Sequence, residues 1–198
     1  MRAAIKHLKK DPVLGPIITR HGKFAMNYGE PEFEYLVRSI VYQQLSGRVA
    51  SVIYGRFRDA LGGSVTPDAI LKLRPERMRK LGLSGQKTTY IRELAKHTKK
   101  GTVVFERLPE MADSEVIEHL TQVKGIGVWT AHMFLIFALR RPDVLPTGDL
   151  GIRTAIQKAW NLPELPKPAE IEKIAAGWRP WASVASWYLW RSLDTKTP

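Results

Sequence analysis

The sequence contains no cysteine among its 198 residues. Without thiols the chain cannot form disulfides, thiolate-bound zinc, a cysteine-ligated iron–sulfur cluster or a catalytic thiol, and this composition is typical of a reducing compartment. Long apolar runs are also missing, since the longest, Ala131–Leu139, is far shorter than the ~20 residues that a membrane-spanning helix needs. The N-terminal stretch has no apolar core of the signal-peptide type. We therefore expect a cytoplasmic protein without a membrane partner.

Acidic residues are few relative to basic ones. The chain has 19 Asp and Glu against 31 Lys and Arg, which gives a formal net charge of +12. The basic residues are dispersed along the chain, which favours a folded basic face over a disordered terminal arm. Such an excess predicts a polyanionic partner, with nucleic acid ahead of an anionic membrane surface. The alternative is a protein with ordinary surface lysines and no polyanionic partner.

Strand signals are nearly absent, because the apolar residues recur with helical spacing almost throughout and only Thr102–Phe105 has strand character. The length suits one domain or one body of two lobes. The pattern predicts an all-α fold. Helices are predicted at Phe33–Leu45, Val49–Leu61, Pro67–Leu73, Pro75–Leu81, Ser84–Lys99, Leu150–Trp160, Pro168–Ala176 and Trp181–Leu193. Two more are predicted between these, one that is capped by Asp113 or Ser114 and runs to Gln122, and one that begins after Gly127.

Two glycines interrupt the helical pattern in one segment, which reads EVIEHLTQVKGIGVWTAHMFLIFAL from Glu115 to Leu139. Gly125 and Gly127 allow positive φ and a close approach of another backbone where the chain must reverse. The amide groups of this turn and of the next helix's first turn would then face outward at the positive end of the helix dipole. Such a helix start can bind a phosphate. The alternative is a turn between two helices with no ligand.

The segment LTQVKGIGVWTAHMF resembles the hairpin of the helix-hairpin-helix Gly/Pro-Asp superfamily of DNA glycosylases, and LPTGDLGIR at Leu145–Arg153 resembles its Gly/Pro-rich loop and aspartate. Within that superfamily, YQQLSGRVA, LGLSGQKTTYIRELA and RPWASVASWYLW are similar to the alkylbase branch, 3-methyladenine DNA glycosylase II. The resemblance covers roughly Phe33 to Leu193. It implies a six-helix barrel lobe at residues 36–140, a second lobe formed by residues 1–35 and 141–198, and a DNA cleft between them.

Asp149 follows Gly148 and stands at the predicted start of a helix. Aspartate is a preferred N-cap, so capping alone can explain it, at about 1 kcal/mol. The donors of a cap site also stabilise the anionic carboxylate, which suits a dissociative cleavage of an N-glycosidic bond. The resemblance assigns the catalytic role to this aspartate. For Arg153, four residues later, three roles stay open: pairing with Asp149, a phosphate contact, or a solvated helix position.

Trp129 stands in the hairpin where superfamily members that also cut the backbone have a Schiff-base lysine. The resemblance therefore implies a monofunctional enzyme with water as the nucleophile. An indole attracts a cationic base over its face, which favours alkylated purines: 3-methyladenine, 7-methylguanine or etheno adducts. Trp129 and Trp190 match pocket tryptophans of the alkylbase branch, whereas Trp178, Trp181 and Trp187 are expected in the core. Two other functions stay open, a glycosylase for deaminated or mismatched bases (hypoxanthine, uracil) and a non-enzymatic DNA-binding module.

A glycosylase must flip its target nucleotide, and the family inserts a side chain from the corner that matches Gln44 and Leu45. The expected backbone contacts to DNA come from two turns and a helix position: Gly125, Gly127, Lys124 and Thr130 in the hairpin, Gly85 and Lys87 in the turn formed by residues 83–87, and Arg153.

The hairpin of the family often binds Na⁺ or K⁺ through main-chain carbonyls, which here are those of Thr121, Val123 and Gly125. The five histidines lack ligand spacing, so we expect no catalytic metal and no required cofactor. The expected partner is double-stranded DNA that contains damaged bases, bound by a monomer that is associated with the nucleoid if the source is prokaryotic.

Overall fold

The computed structural model describes residues 1–194, and across that range every regular element is a helix. The predicted all-α class is confirmed. The α-helices are α1 Arg2–Leu8, α2 Leu14–His21, α3 Phe33–Tyr42, α4 Gly47–Ala60, α5 Pro67–Lys72, α6 Pro75–Lys80, α7 Gly85–Lys99, α8 Asp113–Thr121, α9 Val128–Phe137, α10 Leu150–Ala159, α11 Pro168–Ile174 and α12 Ala182–Ser192, with 3₁₀ helices at Phe105–Glu110 and Ala175–Trp178. Among the described residues, no helix is long and apolar enough to cross a membrane.

The chain folds into two compact units, and the first comprises Gly29–Leu139. It contains α3 to α9, with α7 packed against α3, α5 and α6, and α8 packed against α9. The face of α3 that the periodicity predicts as apolar is fully buried, and it includes Leu36, Val37 and Ile40. Aromatic rings from distant parts of this unit meet edge to face, with the centroids of Phe105 and Phe134 6.2 Å apart. Each such buried side chain stabilises the fold by roughly 1.5–3 kcal/mol.

The second unit comprises residues 1–28 together with residues 140–194. Its core surrounds the fully buried Trp178, whose ring lies 5.9 Å from that of Trp160. The Trp178 indole N–H donates to Oδ2 of Asp11, and Oδ1 of Asp11 accepts the backbone N–H groups of Val13 and Leu14. One carboxylate thus joins the start of α2 to the 3₁₀ helix that precedes α12. Trp181 and Trp187 pack against the same core, as the sequence predicts.

Two of the predicted element ends are wrong, and the stretch with strand character forms no strand. Helix α3 ends at Tyr42 and not at Leu45, because Gln44 has a φ of 56° and leaves the helical conformation. The N-cap of α8 is Ala112 and not Asp113 or Ser114, and the Glu115 carboxylate accepts the Ala112 N–H at 2.7 Å. Residues 102–105 form no strand and lead into the 3₁₀ helix that begins at Phe105.

The position of Trp178 generates a stability prediction. We expect Trp178→Phe to lower the free energy of unfolding by about 2 kcal/mol, because it deletes a buried hydrogen bond to Asp11 and leaves a void. Trp129→Phe is the matched control, since that ring is 47% exposed and its change should stay within about 0.5 kcal/mol. Urea unfolding measures both variants, and equal losses would contradict this account of the core.

Candidate active site

The hairpin between α8 and α9 turns at Gly125, which has a φ of 98° that L side chains rarely adopt. The Ile126 N–H donates to the carbonyl of Val123 at 3.0 Å and closes the turn. Gly127 does not use the positive φ that the sequence analysis allows for both glycines. It is the N-cap of α9 with a φ of −94°, and a Cβ there would meet no heavy atom within 4 Å. Only the first glycine is required by the backbone.

The Tyr90 ring of α7 also leaves space only for a glycine at position 125. A Cβ at Gly125 would lie 2.1 Å from Cγ of Tyr90, well inside van der Waals contact. The Tyr90 hydroxyl accepts a hydrogen bond from Nε2 of Gln86 at 2.6 Å, so the ring is held in place on α7. The close approach expected at this glycine therefore comes from an aromatic side chain and not from another backbone.

The start of α9 has the electrostatics of an anion site. Val128 and Trp129 begin the helix, and its first N–H groups have no acceptor within the helix by the general geometry of an α-helix. No acidic side chain stands in this first turn, and Lys124 is exposed just before it. The arrangement can accept a phosphate oxygen. Thr130 does not share this surface, because its side chain is only 5% exposed.

A cavity of about 520 Å³ lies beside this helix start, and it brings together residues that the sequence predicts for the base pocket and for the inserted side chain. Nearly half of the Trp129 surface is accessible to solvent. Such an exposed aromatic side chain can stack on a base or attract a cation. The lining residues are Ser39, Tyr42, Gln43, Gln44, Trp129, Thr130 and Met133.

The corner after α3 projects Gln44 toward solvent. Gln44 is exposed with a φ of 56°, and Leu45 is 38% exposed, so both predicted wedge residues are accessible. Gln43 points elsewhere, because its Nε2 donates to the carbonyl of Gly125 at 3.3 Å. The corner and the hairpin turn are therefore connected by a side chain that the sequence analysis did not single out.

Lys87 lies at the start of α7, after the N-cap Ser84, whose hydroxyl accepts the Lys87 N–H. Its Nζ donates to the carbonyls of Val41 and Gln43, both at 2.7 Å. Burial lowers the pKa of this ammonium group from its ordinary value. The predicted phosphate contact stays a prediction, and the structure gives Lys87 a second set of partners at the end of α3. Gly85, the other residue predicted in this turn, is exposed.

Asp149 is the N-cap of α10 and is only 9% exposed. Its Oδ1 accepts two hydrogen bonds, from the Ile152 N–H at 2.8 Å and from Nε1 of Trp190 at 2.8 Å. The first is the capping bond that the sequence predicts. The second places Trp190 directly beside the carboxylate, which is a more specific position than a pocket wall. Two donors on one oxygen fix the orientation of the carboxylate group.

Gly151 is a residue of this site that sequence reasoning missed. A Cβ at Gly151 would lie 3.0 Å from Oδ1 of Asp149 and 3.0 Å from Cδ1 of Trp190. The missing side chain leaves room for the indole to reach the carboxylate. The only local signal was the glycine in the first turn of a helix, where it is otherwise unfavourable. Arg153 lies on the same helix, and its Nε donates to the carbonyl of Pro166 at 3.0 Å.

The three carbonyls predicted to bind a monovalent cation belong to the hairpin turn. Val123 already accepts the Ile126 N–H, and Gly125 accepts the Gln43 amide. Each carbonyl oxygen has two lone pairs, so neutral oxygen donors stay available to a hard ion such as Na⁺ or K⁺. The cation site at the carbonyls of Thr121, Val123 and Gly125 stays a prediction. Among the described residues, no group of three or more His, Asp or Glu side chains could hold a metal ion.

Comparison with known proteins identifies the family. Residues 37–180 match the family described as HhH-GPD superfamily base excision DNA repair protein, and this range includes the hairpin, Trp129 and Asp149. The chain belongs to the HhH-GPD superfamily. The resemblance predicted from the sequence is confirmed.

Two relatives of the chain are named DNA-3-methyladenine glycosylases. The chain is 36% identical to DNA-3-methyladenine glycosylase 1 of Schizosaccharomyces pombe over 171 residues, which cover 85% of this chain and 75% of the relative. It is 32% identical to DNA-3-methyladenine glycosylase of Saccharomyces cerevisiae, over 96% of this chain and 78% of that protein.

Solved HhH-GPD structures agree with the fold. The crystal structure of DNA-3-methyladenine glycosidase from Bacillus halodurans is 35% identical with a TM-score of 0.86, covering 97% of this chain and 89% of that one. The S. pombe enzyme Mag1, in complex with abasic DNA, is 33% identical with a TM-score of 0.86, covering 99% of this chain and 100% of that one.

The two hairpin glycines generate a paired prediction. We expect Gly125→Ala to lower the free energy of unfolding by about 2–4 kcal/mol, because the new Cβ collides with Tyr90 and the backbone is left-handed. Gly127→Ala, in open space, should cost less than about 1 kcal/mol. Urea unfolding compares the two variants. In a Tyr90→Ala background the cost of Gly125→Ala should fall, and an unchanged cost would contradict the proposed collision.

Proposed function

We propose that the protein is a monofunctional DNA glycosylase that removes alkylated purines from double-stranded DNA, as a monomer. The observation that carries the proposal is the Asp149 carboxylate, buried and oriented by two donors to one oxygen. Membership of a base excision repair family and relatives named DNA-3-methyladenine glycosylase support the substrate class. The relative in complex with abasic DNA supports DNA as the partner.

The proposed reaction breaks the bond between C1′ of the sugar and the purine nitrogen. The electron pair leaves with the base, so a cationic alkylpurine departs as a neutral molecule and the sugar becomes oxocarbenium-like. The Asp149 anion stabilises this positive charge and orients the water that adds to C1′. The proton of that water passes to the carboxylate or to solvent. An alkylated base is a good leaving group, so the pocket needs no strong general acid.

The residues that line the pocket support the proposal that cationic bases are preferred over neutral ones. Trp129 is 47% exposed and lines the cavity of about 520 Å³. A cation over an indole gains roughly 0.5–2 kcal/mol, whereas a neutral lesion must be selected by matched hydrogen bonds. Tryptophan has no amine to attack C1′, so the proposed product is an abasic site in an uncut strand. Lys124, Gly125, Gly127 and the start of α9 would hold a phosphate of the same duplex.

The central variant is Asp149→Asn, which keeps a good N-cap and removes the negative charge. We expect its excision rate on a duplex with one 7-methylguanine to fall about 100-fold or more, because the charge acts mainly in the transition state. Asp68→Asn, the same change at an exposed position of α5, should retain the wild-type rate. Gel analysis before and after alkali treatment should show strand breaks only after alkali. Wild-type preference for hypoxanthine or uracil, or full activity of Asp149→Asn, would overturn the proposal.

A second variant tests the orientation of the carboxylate. Trp190→Phe keeps an aromatic ring and deletes the N–H that donates to Oδ1 of Asp149. We expect kcat to fall about tenfold with KM nearly unchanged, because a misoriented carboxylate stabilises the transition state less without altering duplex binding. Trp187→Phe, on the same helix, is the control and should behave as wild type. A raised KM at unchanged kcat would instead assign Trp190 to base binding alone.

A further inference from the structure

Lys87 occupies an electrostatically unfavourable place on its own helix. It is the third residue of α7, a helix with no acidic residue in its first turn, and a cation near a helix N-terminus is destabilised by the helix dipole. This destabilisation of the Lys87 ammonium group is offset by the C-terminal end of helix α3. The carbonyls of Val41 and Gln43 belong to the last turn and the C-cap of α3, where the dipole is negative and the carbonyls lack intrahelical donors.

The same two hydrogen bonds argue against DNA binding as the primary role of Lys87. Nζ of Lys87 is partly buried, and both carbonyl oxygens lie 2.7 Å away, which is short for hydrogen bonds to an ammonium group. A direct phosphate contact would require the ammonium group to break these charge-assisted bonds. Exposed lysines such as Lys124 can bind phosphate without this loss.

One of the two carbonyls controls the conformation of Gln44. The Gln43 carbonyl belongs to the planar peptide unit that also contains the Gln44 nitrogen, so a bond to this oxygen fixes the plane from which the Gln44 side chain departs. Gln44 has a φ of 56°, and a non-glycine residue stays there only when its surroundings hold it. The Leu45 N–H bond to the Tyr42 carbonyl and the Gln43 bond to Gly125 complete these surroundings.

We propose that Lys87 is a positioning residue for base flipping: it fixes the corner after α3 so that Gln44 is held ready to insert into the duplex. The Gln43 side chain then connects this corner to the hairpin turn at Gly125, so that Gln44 and the phosphate-binding helix start have a fixed spacing. This inference deepens the proposed function and depends on it for the meaning of the inserted side chain.

Lys87→Met tests the inference, because methionine keeps most of the aliphatic stem and deletes both hydrogen bonds. We expect the single-turnover rate of 7-methylguanine excision to fall about tenfold while affinity for undamaged duplex changes less than twofold. Lys87→Arg can donate to both carbonyls and should recover the rate to within about threefold of wild type. Lys96→Met, the same change at an exposed position of α7, is the matched control and should match wild type.

Two further readouts separate positioning from phosphate binding and from general loss of structure. Insertion of a side chain beside an abasic site unstacks a neighbouring 2-aminopurine, and Lys87→Met should give a smaller fluorescence rise than wild type on such a duplex. This comparison works even if the protein excises no alkylated purine, in which case the proposed function fails on its own. The salt dependence of duplex affinity should keep its slope in Lys87→Met. A slope reduced by about one, with normal fluorescence, would overturn the inference and make Lys87 a phosphate contact.

Discussion

The contact between the Tyr90 ring and the bare backbone of Gly125 is the constraint on which the hairpin unit depends. No side chain fits there, since a Cβ would lie 2.1 Å from the ring. Because Tyr90 belongs to α7, the turn lies directly against that helix. The carbonyl of the same glycine accepts the Gln43 amide, so the end of α3 is attached at the same point. The helix start that can bind phosphate follows this turn directly, and the corner at Gln44 is attached to it through the Gln43 side chain.

The second unit has a constraint of the same kind. Gly151 leaves the space through which the Trp190 indole reaches Oδ1 of Asp149. The capping bond from Ile152 fixes the same oxygen from the helix side. A capping role and a catalytic role for Asp149 are therefore compatible, because the bonds that cap the helix also orient the carboxylate. In both units an aromatic ring leaves no room for a side chain at a glycine. The ring is that of Tyr90 at Gly125 and that of Trp190 at Gly151.

The sequence predicted the features that depend on local order. Helix α3 has its apolar face where the period of 3.6 residues places it, and Asp149 caps a helix as expected. Contacts between distant residues were beyond sequence reasoning. The Lys87 bonds span 44 and 46 residues, and Trp190 lies 41 residues from Asp149, so no spacing rule could find them. The end of α3 was missed for the same reason, because Gln44 has no local cause for its positive φ.

If an anionic Asp149 stabilises positive charge on the sugar, the protein should bind a cationic, uncleavable analogue of the transition state more tightly than a neutral one. The analogue is a duplex in which a cationic pyrrolidine replaces the target sugar, compared with one that has a neutral tetrahydrofuran at that site. We expect the wild-type protein to bind the cationic duplex at least about tenfold more tightly and Asp149→Asn to lose this preference. Equal affinity of the wild-type protein for the two duplexes would contradict this role of Asp149.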